Sequence, residues 1–496
     1  MNPEREDRVY RFDPADTSGV FLGLGLMQCG LIGGGLVVSV TALTQGIPLL
    51  LAALPALGGL AASFARFGGY ALWQWLPVLG GWIWMRFGRG RRWLAPFPLI
   101  PDADGRPTPL PPCLAGVSIV DVPWRGRQRL GAARDDERHT LTAAVRVAGP
   151  QFVVQSRADQ ERLLAGWGDI LNQFAVDRGP VTHLAWSDVA APSGLEQHRT
   201  WLAGVESGEP HSDAEASYDE LLAGATGTAT AHDVLVTMTV SRDRLGQRRG
   251  ATIDPELQLA RVLASSVEAL LRGARSAGLT ATDPLTAAEL QRALRTRFDP
   301  AAVRPSVAGG RLVERLGLVT AANAGPMAVE SSWRHVRVDG AFHRTYQVAC
   351  WPRLPVAPAW LEPFLAGSGV TRTMTVVFCP VSAYQSRRRI ERDLVKLESD
   401  AATKEDKGRR VDARHRRATQ SLLDREQELV AGFAEMGYAA LVSVCTRSEE
   451  ELEEHAEIVE QLAREAGMEL RCLDARQDLA WAAALPLGLA PRSLLS

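Results

Sequence analysis

The hydrophobic pattern of the chain begins with a long apolar stretch. Residues 17–65 contain no Asp, Glu, Lys, Arg or His. A helix needs roughly 20 apolar residues to cross a bilayer, so this stretch predicts two spans, Val20–Leu43 and Ile47–Ala65. We therefore expect a cytoplasmic N-terminal tail at residues 1–16 and a two-helix transmembrane hairpin at residues 17–66.

Four glycines of the first span share one face of the expected helix. They are Gly19, Gly23, Gly30 and Gly34. At 100° per residue these positions cluster within about 60° of one another. Small residues let helices approach closely in lipid, where apolar burial gives no net drive for association. The spacing therefore predicts a packing face for the second span or for another subunit.

The next uncharged segment is rich in tryptophan and ends in a basic cluster. Its tryptophans are Trp73, Trp75, Trp82 and Trp84, and its arginines are Arg86, Arg89, Arg91 and Arg92. Tryptophan favours the lipid headgroup region, and clusters of arginine stay on the cytoplasmic side. We therefore expect residues 67–94 to lie at the membrane interface, in contact with lipids. Both termini should then lie on the cytoplasmic side of the inner membrane.

Beyond this segment, short apolar runs alternate with amphipathic helical patterns, which is typical of a water-soluble α+β domain. Prolines between residues 96 and 112 indicate an extended linker at 95–113. The predicted strands are Val117–Val122, Thr140–Val147, Val181–Trp186, Val234–Val240, Trp333–Val338, Ala341–Trp351, Thr371–Pro380, Tyr438–Cys445 and Met468–Leu473. The predicted fold class is α+β: a transmembrane helical hairpin followed by a cytoplasmic domain with antiparallel or mixed sheets.

Composition shifts divide the soluble part into two subdomains. The first covers residues 114–298, a Gly/Ala/Pro-rich boundary covers 299–330, and the second covers 331–496. Within the second, residues 382–432 are dominated by charged side chains. This solvated pattern predicts a long helical hairpin, with its turn at Lys407-Gly408.

Charge and cysteine content exclude several classes of protein. The chain carries 55 basic and 57 acidic residues, a net charge of −2, so no specific nucleic-acid binding is expected. Its six cysteines form no C-x-x-C pair. This favours a reducing compartment over a disulfide framework or a zinc ribbon.

The sequence contains no motif that we recognise as catalytic. A P-loop, a G-x-S-x-G nucleophile elbow and an H-E-x-x-H zinc motif are all missing. The weak candidates are a charged turn, Asp135-Asp136-Glu137 with His139, and the pair His335 and His343 on opposite arms of an expected hairpin. Structural roles are favoured for both. The sequence therefore predicts a protein that is not an enzyme and has no cofactor, catalytic residue or metal ligand.

The order of several short signatures resembles a family of actinobacterial conjugation proteins with an N-terminal PrgI-like two-helix module. The signatures are Tyr10-Arg11-Phe12, Gln74-Trp75-Leu76-Pro77, Glu161-Arg162, Trp167-Gly168, Tyr218-Asp219-Glu220-Leu221-Leu222, Trp333, Asp339-Gly340, Trp351-Pro352, Gln477-Asp478 and Leu485-Pro486-Leu487-Gly488. The resemblance implies that the soluble part is similar to the pre-motor half of the large ATPase of type IV secretion systems. It also implies a separately encoded ATPase, because the nucleotide motifs have no match here.

The leading hypothesis is a non-enzymatic inner-membrane scaffold of a type IV secretion (conjugation) system. Its expected partners are membrane lipids, other secretion subunits, notably that ATPase, and possible further copies of itself as a homo-oligomer. One alternative is a type VII secretion membrane component with two N-terminal spans. A second is a membrane-tethered enzyme with an unrecognised site, which a pocket of converging carboxylates would reveal.

Overall fold

A computed structural model describes most of the chain. The described residues are 26–67, 70–87, 91–95, 110–150, 152–175, 179–192, 202, 217–218, 220–222, 224, 230–245, 254–300, 325–367, 369–406, 413–432 and 435–489. The predicted tail at 1–16, most of the Pro-rich linker and the predicted turn at Lys407-Gly408 lie outside these residues.

The described part contains helices and strands in alternating groups. The helices are α1 (Leu26–Thr44), α2 (Leu49–Ala52), α3 (Leu54–Phe64), α4 (Leu72–Phe87), α5 (Arg157–Phe174), α6 (Pro255–Ser276), α7 (Ala287–Phe298), α8 (Glu362–Ala366), α9 (Ala383–Asp406), α10 (Ala413–Val430), α11 (Glu449–Glu465) and α12 (Gln477–Ala484). The strands are β1 (Arg66–Phe67), β2 (Tyr70–Ala71), β3 (Arg92–Leu94), β4 (Val117–Pro123), β5 (Arg129–Asp135), β6 (Thr140–Ala148), β7 (Val181–Pro192), β8 (Thr230–Ser241), β9 (Thr280–Pro284), β10 (Ala328–Ser331), β11 (Val336–Val338), β12 (Ala341–Cys350), β13 (Arg372–Pro380), β14 (Met436–Thr446) and β15 (Glu469–Cys472).

Among the described residues, no helix combines the length and the apolar character that crossing a membrane requires. The prediction of a transmembrane hairpin is therefore not supported. The second expected span, Ile47–Ala65, is divided into α2 and α3, because Pro55 lies in the first turn of α3. Proline has no N–H to donate to the preceding turn, so it starts a helix more readily than it continues one.

A single antiparallel sheet forms the body of the protein, which confirms the α+β fold class. Its thirteen strands follow the order β3-β10-β11-β12-β14-β13-β7-β8-β6-β5-β4, with β15 beside β12 and β9 beside β6. Strands from both expected subdomains share this sheet, so the boundary at 299–330 does not separate two sheets. Helices α5, α6, α8 and α11 cover one face. Helices α7 and α12, with the segment Leu485–Leu489, cover the other.

The sheet consists of two halves with the same order of elements. The first half runs β4-β5-β6-α5-β7-β8-α6-β9-α7, and the second runs β10-β11-β12-α8-β13-β14-α11-β15-α12. In both, the third strand pairs with the fifth strand and with the short sixth strand. The sheet domain therefore contains an internal structural duplication. The charged hairpin α9–α10 is inserted between β13 and β14 of the second half.

The helix ends of α6 and α11 show the duplication at the level of sequence. Residues 274–279 read Ala-Arg-Ser-Ala-Gly-Leu, and residues 463–468 read Ala-Arg-Glu-Ala-Gly-Met. Gly278 and Gly467 have φ values of 80° and 76°. Each is followed by a residue whose N–H bonds back into the last turn, at 2.9 Å for Leu279 and 2.8 Å for Met468. Both helices thus end in the same left-handed glycine cap before the sixth strand.

The two halves meet at the middle of the sheet, where β7 and β13 pair antiparallel. Trp186 lies opposite Val376 and Ser187 lies opposite Thr375. The Thr375 hydroxyl donates to the Ser187 hydroxyl oxygen across this joint, at 3.2 Å. Because the two strands hold equivalent places in their halves, the joint has a local twofold axis, and the sheet continues through it without a break.

Candidate functional site

The N-terminal helices form the part of the chain that differs most from the sheet domain. Helices α1 and α3 pack side by side, and glycines set their separation. A Cβ atom on Gly35 would lie 2.6 Å from the Pro55 carbonyl oxygen, and one on Gly59 would lie 2.5 Å from the Leu31 carbonyl oxygen. Only glycine permits such an approach of two backbones.

Polar side chains inside this hairpin bond to the backbone of the opposite helix. The Gln28 amide donates to the Ser63 carbonyl oxygen at 2.9 Å. Ser39 accepts a hydrogen bond from the Ala56 N–H, also at 2.9 Å. Both serines are buried. Each polar group therefore has a partner inside the helix pair, which suits a hairpin whose surroundings supply none.

The described part of the predicted glycine face, Gly30 and Gly34, does not meet α3. Gly19 and Gly23 lie outside the described residues, and a Cβ on Gly30 or Gly34 would have no atom within 4 Å. The contact belongs to Gly35 because the helix turns that side toward α3. For contacts with another chain, the glycine face stays a prediction.

The outer surface of the hairpin is apolar and exposed. Large side chains with more than half of their surface exposed include Leu36, Val37, Val40, Leu50, Leu51, Leu54, Leu57 and Phe64. Leu50 is 86% exposed. Contiguous exposed apolar surface of this kind marks an interaction site with protein or membrane.

Helix α4 connects the hairpin to the sheet domain through two tryptophans. The Trp75 ring stacks on Trp333 with centroids 6.0 Å apart and an angle of 4° between the planes. The Trp82 ring meets the same Trp333 edge to face, with centroids 5.4 Å apart. Trp75 and Trp82 are seven residues apart and so lie on one face of α4. We call the contact of Trp75 and Trp82 with Trp333 the aromatic dock.

A second apolar stripe of α4 lies outside the aromatic dock. Leu76, Ile83 and Phe87 are exposed at helical spacing, and Trp84 beside them is 82% exposed. The sequence predicted that all four tryptophans lie in the headgroup region. The structure instead places Trp75 and Trp82 against protein and leaves Trp84 outward. The Trp73 side chain and Arg89 lie outside the described part.

The basic cluster is divided between solvent and an acidic partner. Arg86 is exposed at the end of α4. The Arg92 guanidinium Nε lies 2.7 Å from a Glu330 carboxylate oxygen, and Arg91 lies 3.8 Å from the same atom. Arg92 begins β3, which pairs with β10. Two of the predicted interface arginines thus hold β3 on the sheet edge, although exposed ion pairs of this type contribute only about 0–1 kcal/mol.

The charged turn that the sequence proposed as a weak cation site is structural. The buried Asp135 carboxylate accepts hydrogen bonds from the Glu137 and Arg138 N–H groups, both at 2.9 Å, and from the Arg138 guanidinium at 2.7 Å. Asp136 pairs with Arg134 at 3.0 Å. Within the described ranges, no group of three or more His, Cys, Asp or Glu side chains is arranged to hold a metal ion.

A cavity of about 360 Å³ opens next to this turn, between β4–β6 and the start of α6. Its acidic lining includes Asp136, Asp254 and Glu256. Asp254 caps α6 by accepting the Glu256 N–H, and Asp136 is paired as described above. Glu256 lies 4.0 Å from Arg134, so these three carboxylates have structural partners.

The two histidines of the β11–β12 hairpin lie on opposite faces of the sheet. His335 stands 3.6 Å from Glu449 on α11. His343 is buried against Trp481 and donates from Nε2 to the Phe298 carbonyl oxygen at 2.8 Å. Burial lowers the pKa of His343 to about 4, so it is neutral at pH 7. The two histidines therefore do not face each other across the hairpin, and each has its own contacts on its face of the sheet.

Two signature segments of the sequence also have structural roles. The buried Gln477 amide bonds to both the N–H and the carbonyl oxygen of Thr345, at 2.7 Å and 3.1 Å. It thereby fills a gap in the ladder of β12 between β11 and β15. Gly488, with φ of 71°, lies against the Thr142 and Thr239 hydroxyls, where no side chain fits.

Part of the chain matches a known family. Residues 245–348 match the family described as "Putative type VII ESX secretion system translocon, EccE". The matched stretch runs from the end of β8 to β12, across the boundary between the two halves. No curated protein matches the chain. The match supports a membrane-associated secretion protein, and it favours the type VII alternative over the type IV hypothesis with its PrgI-like module.

Proposed function

We propose that the protein is a membrane-associated scaffold subunit of a type VII secretion translocon. The match of residues 245–348 to the EccE family carries this proposal. The exposed apolar surface of α1–α3 and the outer stripe of α4 support a membrane attachment. In this arrangement the sheet domain lies on the cytoplasmic side, is not an enzyme, and holds other subunits of the machine, including a separately encoded ATPase.

The aromatic dock gives the scaffold its geometry. Helix α4 has one apolar face on Trp333 and a second apolar stripe exposed, so lipid on the outer stripe would fix the orientation of the sheet domain relative to the bilayer. A flexible tether alone would not do this. In this arrangement, α4 is a rigid connection between the membrane and the sheet domain.

Membrane attachment is tested by flotation of the full chain with liposomes. The variant Leu50→Asp with Leu54→Asp places two charges on the exposed hairpin surface, and a charge within lipid costs about 2.5–3.5 kcal/mol on the insertion scale. We expect the parent to float and this variant to stay in the dense fractions. Val395→Asp on the exposed side of α9 is the control and should float. Flotation of all three, or of none, contradicts the proposed attachment.

The secretion class is tested by affinity purification of the full chain from solubilised membranes of its host. Type VII core subunits are expected among the co-purifying chains. Recovery of a conjugation ATPase and coupling protein in their place would support the type IV hypothesis over the type VII assignment. Recovery without any secretion subunit would overturn the scaffold role.

A further inference from the structure

The two ends of the sheet are equivalent in topology but differ in what covers them. In the second half, the outer strand β10 is paired on its open side by β3, with Val329 opposite Trp93. The counterpart of β10 in the first half is β4, which pairs with β5 alone among the described strands. Among the described strands, one edge is thus closed by the chain itself and the other is open.

The open side of β4 presents backbone groups in a defined register. The Gly131 N–H of β5 bonds to Leu285, away from β4. In an antiparallel pair such a residue lies opposite one whose own N–H and C=O also point outward, and the residue opposite Gly131 is Asp121. The outward-pointing residues are therefore Val117, Ile119 and Asp121. An unpaired row of this kind is a template for another strand.

Side chains along β4 suit a strand partner. Val117 and Ile119 are partly buried against the same core that takes Trp93 of β3 at the opposite end. Asp121 is the only charged residue between Val117 and Val122. Pro123 also faces the open side at the end of the strand and has no N–H to donate, so the row that can pair on both N–H and C=O consists of Val117, Ile119 and Asp121.

We propose that β4 is a dimerisation edge, at which β4 of a second copy adds antiparallel about a twofold axis at Ile119. In this register Ile119 pairs with its own copy and Val117 pairs with Asp121, so every outward N–H and C=O of the row finds a partner. The two Asp121 carboxylates lie four residues apart along the strand direction, roughly 13 Å, which exceeds the Debye length of about 8 Å at physiological salt.

The choice of a second copy follows from this self-complementarity and from the way the chain already joins its halves. The β7–β13 joint is an antiparallel pairing of equivalent strands about a local twofold axis. A β4–β4 joint repeats that arrangement between protomers and leaves a continuous sheet. Closed twofold pairing is also the commonest form of homo-oligomer. The inference does not depend on the type VII assignment.

Cysteine cross-linking of the full chain tests the register. Paired residues in an antiparallel ladder have Cα atoms about 5.5 Å apart, within the range of about 4.4–6.8 Å that a disulfide spans. We expect Ile119→Cys to give a covalent dimer under mild oxidation. Ser118→Cys is the matched control: its Cα atoms in the two copies would be roughly 8 Å apart, so neither it nor the parent should cross-link.

Mass measurement of the detergent-solubilised chain tests the backbone pairing. We expect the parent and Ile119→Val to be dimeric, and Ile119→Pro to raise the dissociation constant at least tenfold because proline lacks the N–H at the axis. Circular dichroism serves to check that the variants are folded. A monomeric parent, a dimer unaffected by proline, or equal cross-linking at residues 118 and 119 would each overturn the proposed edge.

Discussion

The two halves of the sheet share one topology but are covered in different ways. In the first half, the 18-residue helix α5 packs on α6. In the second, the corresponding helix α8 has 5 residues. The second half instead receives α4 and β3 from the N-terminal region, through Trp333 and Glu330. The duplication thus supplies two similar bodies, and only one of them is attached to the apolar helices.

The halves also close the same gap in the sheet by different means. Between β5 and β9, the Leu285 backbone bonds to Ala144 and Gly131, at 2.9 Å and 2.8 Å. Between β11 and β15, the Leu473 N–H bonds to the Thr345 carbonyl oxygen at 3.2 Å, but the Thr345 N–H bonds to the Gln477 side chain. Backbone hydrogen bonds can close the gap whatever side chain the bonding residue carries. A hydrogen bond from a side chain requires that particular residue. A single substitution can therefore remove hydrogen bonds that close this gap in the second half, but not in the first.

The largest effect is expected at Gln477. Gln477→Ala leaves the buried Thr345 N–H without a partner, which costs about 1–3 kcal/mol, while the Thr345 carbonyl oxygen keeps the Leu473 N–H. The cavity left by the side chain adds to this loss, so we expect about 2–4 kcal/mol less free energy of unfolding, measured with urea. Gln461→Ala is the control, since Gln461 is exposed and bonds only to Glu465. A similar loss in both variants would contradict the distinction between the halves.

Acid should destabilise both halves through one buried histidine each. Burial lowers the pKa of His183 on β7 and of His343 on β12 to about 4, while an unfolded histidine titrates near 6.5. The neutral form is favoured in the fold, so this stability is complete above pH 6.5 and is lost as the pH falls toward 4. At pH 5 the loss is about 2 kcal/mol per histidine.

The measurement is urea unfolding between pH 7 and 5 for the parent, His183→Gln and His343→Gln. Each substitution should lower, by about one, the number of protons that the protein takes up on unfolding in this pH range. If the halves unfold together, both substitutions act on one transition; if they unfold separately, each acts on its own. An unchanged pH dependence would show that neither histidine is neutral in the fold.

A smaller effect is expected at the aromatic dock. Aromatic pairs contribute about 0.5–1.5 kcal/mol beyond their buried area. Trp82→Ala should weaken the attachment of α4 and increase hydrogen exchange at the β3 amides, because β3 follows α4 directly. Trp84→Ala on the same helix is the control, since that ring is outward. If only Trp84→Ala increased exchange at the β3 amides, α4 would be attached through the face that carries Trp84 and not through Trp82.

The smallest effect is expected inside the hairpin. Gly35→Ala places a methyl group against the Pro55 carbonyl oxygen and should cost about 1 kcal/mol or somewhat more, as overpacking does. Gly34→Ala points into open space and should be neutral or slightly stabilising because alanine favours helix. Thermal unfolding in detergent compares the two. A greater loss at Gly34 would restore the glycine face predicted from the sequence as the contact with α3.

Local patterns in the sequence were sufficient to find most elements. Ser156 and Asp254 are residues of the types that favour helix N-caps, and each accepts an N–H from the first turn of its helix. The long strands were found because they alternate or are continuously apolar. Strands β5 and β9 were missed: Arg129–Asp135 is rich in alanine and arginine, and Thr280–Pro284 contains proline and little apolar surface. Strand β5 is held between β4 and β6, its neighbours in sequence, and β9 pairs with β6, which is distant in sequence.

The candidate site was only partly accessible to the same reasoning. The sequence identified the tryptophans of α4 as special, but an aromatic ring suits a headgroup region and a protein contact equally well. Trp333, some 250 positions further on, decides between them for Trp75 and Trp82. The glycine face has the same ambiguity, because a helix that is apolar on all sides does not indicate which side meets its partner.

By itself, the sequence determined the fold class, the apolar N-terminal region, the charged hairpin and the absence of known catalytic motifs. These follow from composition and short-range periodicity. Only the tertiary structure decided that both subdomains share one sheet, that they are repeats of one another, and that α4 is attached to the second of them. Strand order and docking depend on contacts between residues far apart in the chain, and local periodicity specifies which face of an element is buried but not against what.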